Sequence, residues 1–164
     1  MYDRFGEFDS AEEINRAAKA QLLEGETEVV RAIAEENGID PEDADDYIAG
    51  IVEELTGPLL AAIGKMNVEI LDLKNEADIL DDWIMMIRSY CQQEEAFARA
   101  VRRKGKSLKG CIAELMKWSL QHAAPVPKDI CTACGISYNV KLGIPGSRKA
   151  RELIRAYYLG EEKG

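Results

Sequence analysis

The fold of this chain is decided by residues 58–104, which read PLLAAIGKMNVEILDLKNEADILDDWIMMIRSYCQQEEAFARAVRRK. Within this stretch, alternating steps of three and four residues from Ile63 to Val101 meet an apolar side chain at every position except Glu94. This spacing is the heptad pattern of an α-helix that buries one continuous seam. Apolar side chains beside the seam, such as Trp83, widen the buried stripe. The sequence therefore predicts an all-α helical bundle built around a long helix over about 58–104.

A single helix over this stretch would be too long for a compact chain of 164 residues. The seam from Ile63 to Val101 would rise about 58 Å as one helix, whereas a compact globule of this size is about 40 Å across. The helix must therefore protrude, break or lie along a partner, and Asn67, Asn75 and Asp78 are its weak points. The width of the stripe favours packing against the N-terminal helices, with or without a dimer contact, over an isolated coiled coil.

Three helices are predicted before this stretch. Ser10 and Glu13 have the spacing of a capping box, which places the start of the first helix. A second acidic helix covers about 26–37 and ends at a glycine. Asp40 and the proline after it open a third helix, whose apolar face extends to Leu55.

The C-terminal part of the chain is predicted to be smaller and also helical. Ser107 caps a helix that reaches Leu120, and a final helix spans 147–159. Short apolar pieces punctuated by glycine and proline connect the two. The chain therefore divides into an acidic helical region, 1–106, and a basic helical region, 107–164, either as two domains or as one continuous domain.

The net charge of −9 conceals an acidic half and a basic half. Residues 1–82 carry 6 Lys and Arg against 23 Asp and Glu, for −17, whereas residues 83–164 carry 15 against 7, for +8. Either the two halves attract each other, or the basic half binds a polyanion while the acidic half discourages indiscriminate binding. We see no membrane span and no signal peptide, and we expect a cytoplasmic protein without a membrane partner.

The positive charge gathers after the long stretch and at the start of the last helix. The turn before the last helix is similar to the hairpin of a helix-hairpin-helix motif, in which glycines let backbone N–H groups approach a phosphate. The candidates for this anion-binding turn are Gly143, Gly146 and Ser147. The candidate nucleic-acid contacts are Arg102, Arg103, Lys106, Lys109, Arg148, Lys149, Arg151 and Arg155. The alternative is that these basic residues form an ordinary solvated face or complement a helix C-terminus.

Cysteine and histidine provide one incomplete metal-site pattern. Cys131 and Cys134 form a CxxC, and His122 lies upstream, so these three are the candidate ligands. Cys111 cannot complete the site, because a helix would separate it from His122 by about 16 Å. We therefore expect no cofactor and interpret the cysteines as buried hydrophobes. Since no nucleophile or nucleotide-binding motif is present either, we expect a protein that is not an enzyme.

Three short segments between about Glu94 and Tyr158 resemble the PcfK-like family, small proteins encoded on conjugative plasmids and integrative elements. The segments are Glu95-Ala96-Phe97-Ala98, then Gly105-Lys106-Ser107-Leu108-Lys109-Gly110-Cys111-Ile112 with Met116, and finally Tyr157-Tyr158. The resemblance implies an accessory protein of a mobile genetic element, and it brings no catalytic residue with it.

Two functions are therefore expected for this chain. The first is a non-enzymatic accessory or regulatory protein of a mobile element that contacts DNA or RNA through its basic C-terminal half. The alternative is a protein-interaction module or homodimer that uses the heptad seam and the acidic N-terminal half, without binding nucleic acid. The two differ in whether the basic clusters face solvent or pair with the acidic residues.

Overall fold

The computed structural model describes residues 2–73 and 77–160 and confirms the all-α fold. Within these ranges the chain has nine helices and one two-stranded sheet, and none of these helices is long and apolar enough to cross a membrane. The chain divides into two compact units, Met1–Lys109 and Gly110–Gly164. The elements are α1 (Ala11–Leu23), α2 (Thr27–Glu36), α3 (Pro41–Ile48), α4 (Pro58–Leu73), α5 (Asp78–Gln93), α6 (Glu95–Arg102), α7 (Leu108–Gln121), β1 (Ala124–Pro125), α8 (Lys128–Ala133), β2 (Lys141–Leu142) and α9 (Ser147–Leu159).

The first two helices begin and end close to the predicted positions. Ser10 Oγ accepts the backbone N–H of Glu13 at 3.2 Å, and the Glu13 carboxylate accepts the backbone N–H of Asp9 at 2.7 Å. The capping box therefore forms, with its return bond one residue earlier than in the standard motif. Gly25 and Gly38 follow α1 and α2 with φ of +81° and +65°, a conformation that glycine adopts without strain. The two helices pack against each other along their apolar faces.

The third helix opens as predicted but ends earlier. The Asp40 side chain caps α3, and Pro41 is its first residue. The helix stops at Ile48, because Gly50 turns the backbone into the left-handed region with φ of +73°. The prediction that this helix extends to Leu55 is therefore wrong.

The stretch 58–104 forms three helices, so the prediction of one long helix is wrong. α4 ends at Leu73, and α5 begins at Asp78 after Ala77, whose backbone is extended with φ of −105° and ψ of 112°. The extended residue Glu94, with φ of −142° and ψ of 108°, separates α5 from α6. Glu94 is also the one charged position in the heptad seam, so the second break falls where the pattern is weakest.

Much of the heptad seam is buried by packing within the N-terminal unit, whereas Ala77 in its middle is exposed and Leu73 and Leu80 are half-buried. α4 contacts both α5 and α6, and the seam residues Met66 and Ile87 are fully buried. Of the predicted weak points, Asp78 is the first residue of α5 and Asn67 lies inside α4, whereas Asn75 lies outside the described residues. The buried part of the seam therefore serves the core of the chain's own bundle.

Two glycines let the turn after α2 lie directly on α4. A Cβ built on Gly64 would lie 2.3 Å from the backbone oxygen of Asn37, and a Cβ built on Gly38 would lie 2.3 Å from the oxygen of Gly64. Any larger side chain would force the two backbones apart. This contact joins the α2–α3 corner to α4, and α4 in turn packs against α6.

The C-terminal unit contains the rest of α7, the small sheet, α8 and α9. β1 and β2 pair antiparallel, with Ala124 opposite Leu142. The last helix spans Ser147–Leu159, as predicted, and Gly160 ends it with φ of +74°. The buried residues of α9 are Ala150, Leu153, Ile154 and Tyr158. The exposed residues of this helix, Arg148 and Arg151 among them, are therefore the ones that a ligand can reach.

Candidate nucleic-acid interface

The basic residues of α9 flank its buried face: Arg151 projects about 20° and Arg148 about 80° from the buried Tyr158 around the helix axis. With 3.6 residues per turn, the side chains of Arg148, Arg151 and Arg155 leave the helix within about 60° of one another. Arg148 and Arg151 are exposed, and Arg155 is half-buried. These three residues form what we call the basic stripe of α9.

The carboxylate of Glu152 lies next to the basic stripe. Glu152 is 2.5 Å from the Nζ of Lys149 and 3.9 Å from the Nε of Arg148. The hydrogen bond from Lys149 is the main cause that lowers the pKa of Glu152 below its ordinary value. The charge of the predicted contact Lys149 is thus balanced locally, whereas the Arg148 side chain is 93% exposed. Arg148 is therefore the better placed of the two to meet an anion.

The predicted anion-binding turn uses its two glycines differently. A Cβ on Gly143 would lie 2.1 Å from the backbone oxygen of Ser119, so this glycine is required for packing against α7 and not for approach to a phosphate. Gly146 is the N-cap residue of α9, and no side chain caps the helix there. Ser147 is the first helical residue. The N-terminus of α9 is therefore formed by the predicted residues Gly146 and Ser147, without Gly143.

The first basic cluster is divided between the interior and the surface of the N-terminal unit. Arg102 is 1% exposed, its Nη2 donates to Asn37 Oδ1 at 2.7 Å, and its guanidinium lies 5.7 Å from the ring centre of Tyr2. The prediction that Arg102 contacts nucleic acid is therefore wrong, because this side chain is committed to the core. Arg103 and Lys109 are exposed, and Lys106 is half-buried.

Sequence reasoning missed a buried ion pair below this cluster. The Lys65 side chain is 1% exposed, and its Nζ donates to Glu7 Oε1 at 2.6 Å and to the backbone oxygen of Arg103 at 2.8 Å. It also lies 4.0 Å from Glu69 Oε1, one helical turn away. Burial is the main cause that lowers the pKa of Lys65 and raises the pKa of Glu69. The spacing of Lys65 and Glu69 within the apolar stretch is the signal that could have identified the pair.

Three carboxylates hold the backbone of the turn between α6 and α7. Asp9 Oδ1 accepts the N–H of Lys104 at 2.9 Å, and Glu7 Oε2 accepts the N–H of Gly105 at 3.2 Å. Glu69 Oε2 accepts the N–H of the first residue of α7 at 2.6 Å. The acidic N-terminal segment therefore fixes the position of this basic turn.

A cavity of about 440 Å³ lies beside the same turn. Burial raises the pKa of Tyr2 to about 12, so the phenol at the cavity wall is protonated at neutral pH. The lining residues are Tyr2, Glu7, Glu69, Asp72, Leu73, Gly105, Lys106, Ser107 and Lys109. The cavity has room for a small polar molecule and offers charges of both signs.

The candidate metal ligands have separate environments. Cys131 is buried and Cys134 is exposed. The His122 ring stacks on Trp118, with ring centres 4.4 Å apart, and its Nδ1 lies 2.9 Å from the Trp118 backbone oxygen. Within residues 2–73 and 77–160, no group of three His, Cys, Asp or Glu side chains is placed to hold a metal ion.

Comparison of the chain with protein-family models, with curated proteins and with solved structures returns no match. The segments 95–98, 105–112 and 157–158 lie in or next to three of the helices. They form the start of α6, the turn before α7 with its first residues, and the end of α9. The middle segment includes the basic turn that the three carboxylates hold.

Proposed function

We propose that this chain is a non-enzymatic accessory protein of a mobile genetic element and that it contacts DNA through α9. The observation that carries the proposal is the basic stripe, Arg148, Arg151 and Arg155, which runs along one edge of the buried face of α9. The resemblance to the PcfK-like family supports the assignment to a mobile element.

The geometry of the basic stripe suits a phosphate backbone. From Arg148 to Arg155 the helix rises about 10 Å, which corresponds to the rise of about three base-pair steps along the axis of a DNA duplex. The N-terminus of α9 adds partial positive charge close to Arg148. Because contacts to phosphates carry no sequence information, binding through such contacts should depend on salt and only weakly on sequence.

The test is fluorescence anisotropy with labelled single-stranded and double-stranded DNA at two salt concentrations. Replacing both Arg148→Gln and Arg151→Gln should weaken binding and reduce the slope of log K against log salt by about two. The matched control is Lys117→Gln with Lys128→Gln, which removes the same charge from exposed positions elsewhere in the C-terminal unit. Absence of any salt-dependent binding, or equal losses in the two double variants, would refute the proposal.

The alternative proposal is a homodimer or protein-interaction module. The burial of Met66 and Ile87 within the N-terminal unit argues against the heptad seam as a dimer contact. Sedimentation of the full chain measures this directly, and a stable dimer that lacks DNA binding would favour the alternative.

A further inference from the structure

The connection from α3 to α4, with the first turn of α4, combines exposed apolar and acidic side chains. We call residues 49–60 the acidic loop. Ile51 is 71% exposed, and Val52, Leu59 and Leu60 are also exposed. Large apolar side chains gathered in one surface segment are typical of an interaction site.

The acidic loop is held at both ends by hydrogen bonds. Its apolar side chains are therefore exposed on a segment that is attached to the rest of the unit. Asn15 of α1 donates its Nδ2 to the backbone oxygen of Thr56 at 2.8 Å, and Asn15 Oδ1 accepts the N–H of Thr56 at 3.0 Å. Leu55 beside it is 2% exposed. At the other end, the Ile51 N–H donates to the backbone oxygen of Asp46 at 2.9 Å. The loop therefore presents Ile51 from a defined backbone.

A groove adjoins the end of this loop. It has a volume of about 290 Å³ and lies between the first turn of α4 and the end of α5. Leu59 and Leu60 line one side, and Cys91, Gln92 and Glu95 line the other. The groove thus has an apolar wall and a polar wall with one carboxylate.

The charged side chains of the acidic loop itself, Glu53 and Glu54, are both negative, whereas Glu95 on the far wall of the groove is paired with Arg99 at 2.8 Å. Residues 40–60 contain seven Asp and Glu and no Lys or Arg. Glu53 and Glu54 are exposed, and neither forms an ion pair within the part of the chain that the structure describes. Such a surface repels nucleic acid and anionic lipid and attracts a cationic partner.

We propose that the acidic loop and its groove bind a basic amphipathic helix of a partner protein. The apolar face of that helix packs on Ile51, Leu59 and Leu60, and its Lys and Arg side chains face Glu53 and Glu54. This is the helix-in-groove mode of recognition, with charge selecting the partner. The proposal is independent of DNA binding, because it uses no residue of α9.

The probe is a labelled amphipathic peptide of about 18 Leu and Lys residues, which makes five helical turns, and binding to the full chain is followed by anisotropy. Ile51→Ser should weaken binding about tenfold, a loss of about 1.4 kcal/mol. The control Leu23→Ser, at an exposed position of α1, should change it less than about twofold. Glu53→Gln with Glu54→Gln should also weaken binding more than Glu24→Gln with Glu26→Gln.

Two results would overturn this proposal. Equal effects of the loop variants and their controls would mean that the peptide is attracted by net charge alone. Dimers that Ile51→Ser converts to monomers in sedimentation would mean that a second copy of the chain covers the loop. Arg148→Gln should weaken DNA binding and leave peptide binding unchanged. A failure of the DNA proposal can therefore be distinguished from a failure of this one.

Discussion

Replacing Gly64→Ala should destabilise the N-terminal unit, because it puts a methyl group between two backbones. Gly64 lies inside α4, where alanine is intrinsically the better residue by about 1 kcal/mol. The added Cβ would, however, lie 2.3 Å from the Asn37 oxygen and 3.0 Å from the Gly38 oxygen. Both atoms belong to the backbone, so they cannot move aside as the end of a flexible side chain can.

The size of the effect follows from these two opposing contributions. An ordinary contact is at least 3.4 Å, so α4 and the turn must separate by roughly 1 Å. Overpacking of this kind costs about 3 kcal/mol at the upper end of the usual range. After the gain of about 1 kcal/mol in helix propensity, the net loss is about 2 kcal/mol. For a chain of this size, that loss lowers Tm by about 4–8 °C.

Thermal and urea unfolding of the purified chain measure this loss. The control Gly57→Ala adds a Cβ that meets nothing within 4 Å, and it should change the free energy of unfolding by less than about 1 kcal/mol. Gly38→Ala should cost more than Gly64→Ala, since it adds strain at φ of +65° to the same clash. If Gly64→Ala is as stable as the original chain, the close contact between α4 and the turn does not exist and the packing argument fails.

Three further changes test other contacts. Asn15→Ala removes both hydrogen bonds to Thr56 and should cost about 2 kcal/mol in urea unfolding; a loss below about 0.5 kcal/mol would contradict this. Burial raises the pKa of Glu69 above its ordinary 4.5, so the native state binds the Glu69 proton more tightly than the unfolded state does. The contribution of this proton to the free energy of unfolding is lost as the pH rises through the native pKa. Glu69→Gln should therefore gain stability relative to the original chain as pH increases above 4.5, and a pH-independent difference would refute the assignment. Gly143→Ala should lower protection from hydrogen exchange in the C-terminal unit, whereas Gly146→Ala, whose Cβ meets nothing within 4 Å, should not; equal effects would exclude the packing role.

Local signals in the sequence located most helix ends. Ser10 caps a helix, Pro41 fixes φ at a helix start, and Gly25 adopts a positive φ at a helix end. Each acts within a few residues of itself, so its effect can be predicted without the tertiary structure. The early end of α3 shows the limit of apolar spacing. Gly50 stops that helix although the apolar spacing continues to Leu55. Apolar spacing shows which residues are apolar, but it does not show whether their backbone is helical.

The heptad seam could not distinguish one long helix from three shorter ones. A seam that faces a partner and a seam that folds back on itself require the same apolar spacing. The charged residue Glu94 marks the second break in the seam, but the apolar spacing is uninterrupted at Ala77, and no local pattern shows that α4, α5 and α6 pack together. Length was the better guide, since a helix of about 58 Å exceeds the diameter of a compact chain.

The candidate site was only partly predictable for a similar reason. Arg102 and Arg148 are equivalent in a count of charges, yet one is buried against Asn37 and the other is almost fully exposed. Burial of Arg102 depends on residues distant in sequence, which no local pattern reveals. By contrast, the exposed position of Arg148 follows from the amphipathic spacing of α9, which the sequence does show.

The acidic half of the chain has two different uses. Glu7, Asp9 and Glu69 accept backbone N–H groups of the turn after α6, so these carboxylates are part of the fold. Glu53 and Glu54 accept no such hydrogen bonds within the described residues, and their side chains are exposed. The net −17 of residues 1–82 is therefore not a uniform field that opposes DNA. Some of these carboxylates hold the fold, as Glu7 does through Lys65. Others, such as Glu53 and Glu54, are exposed, and these two lie in the loop that we assign to a cationic helix.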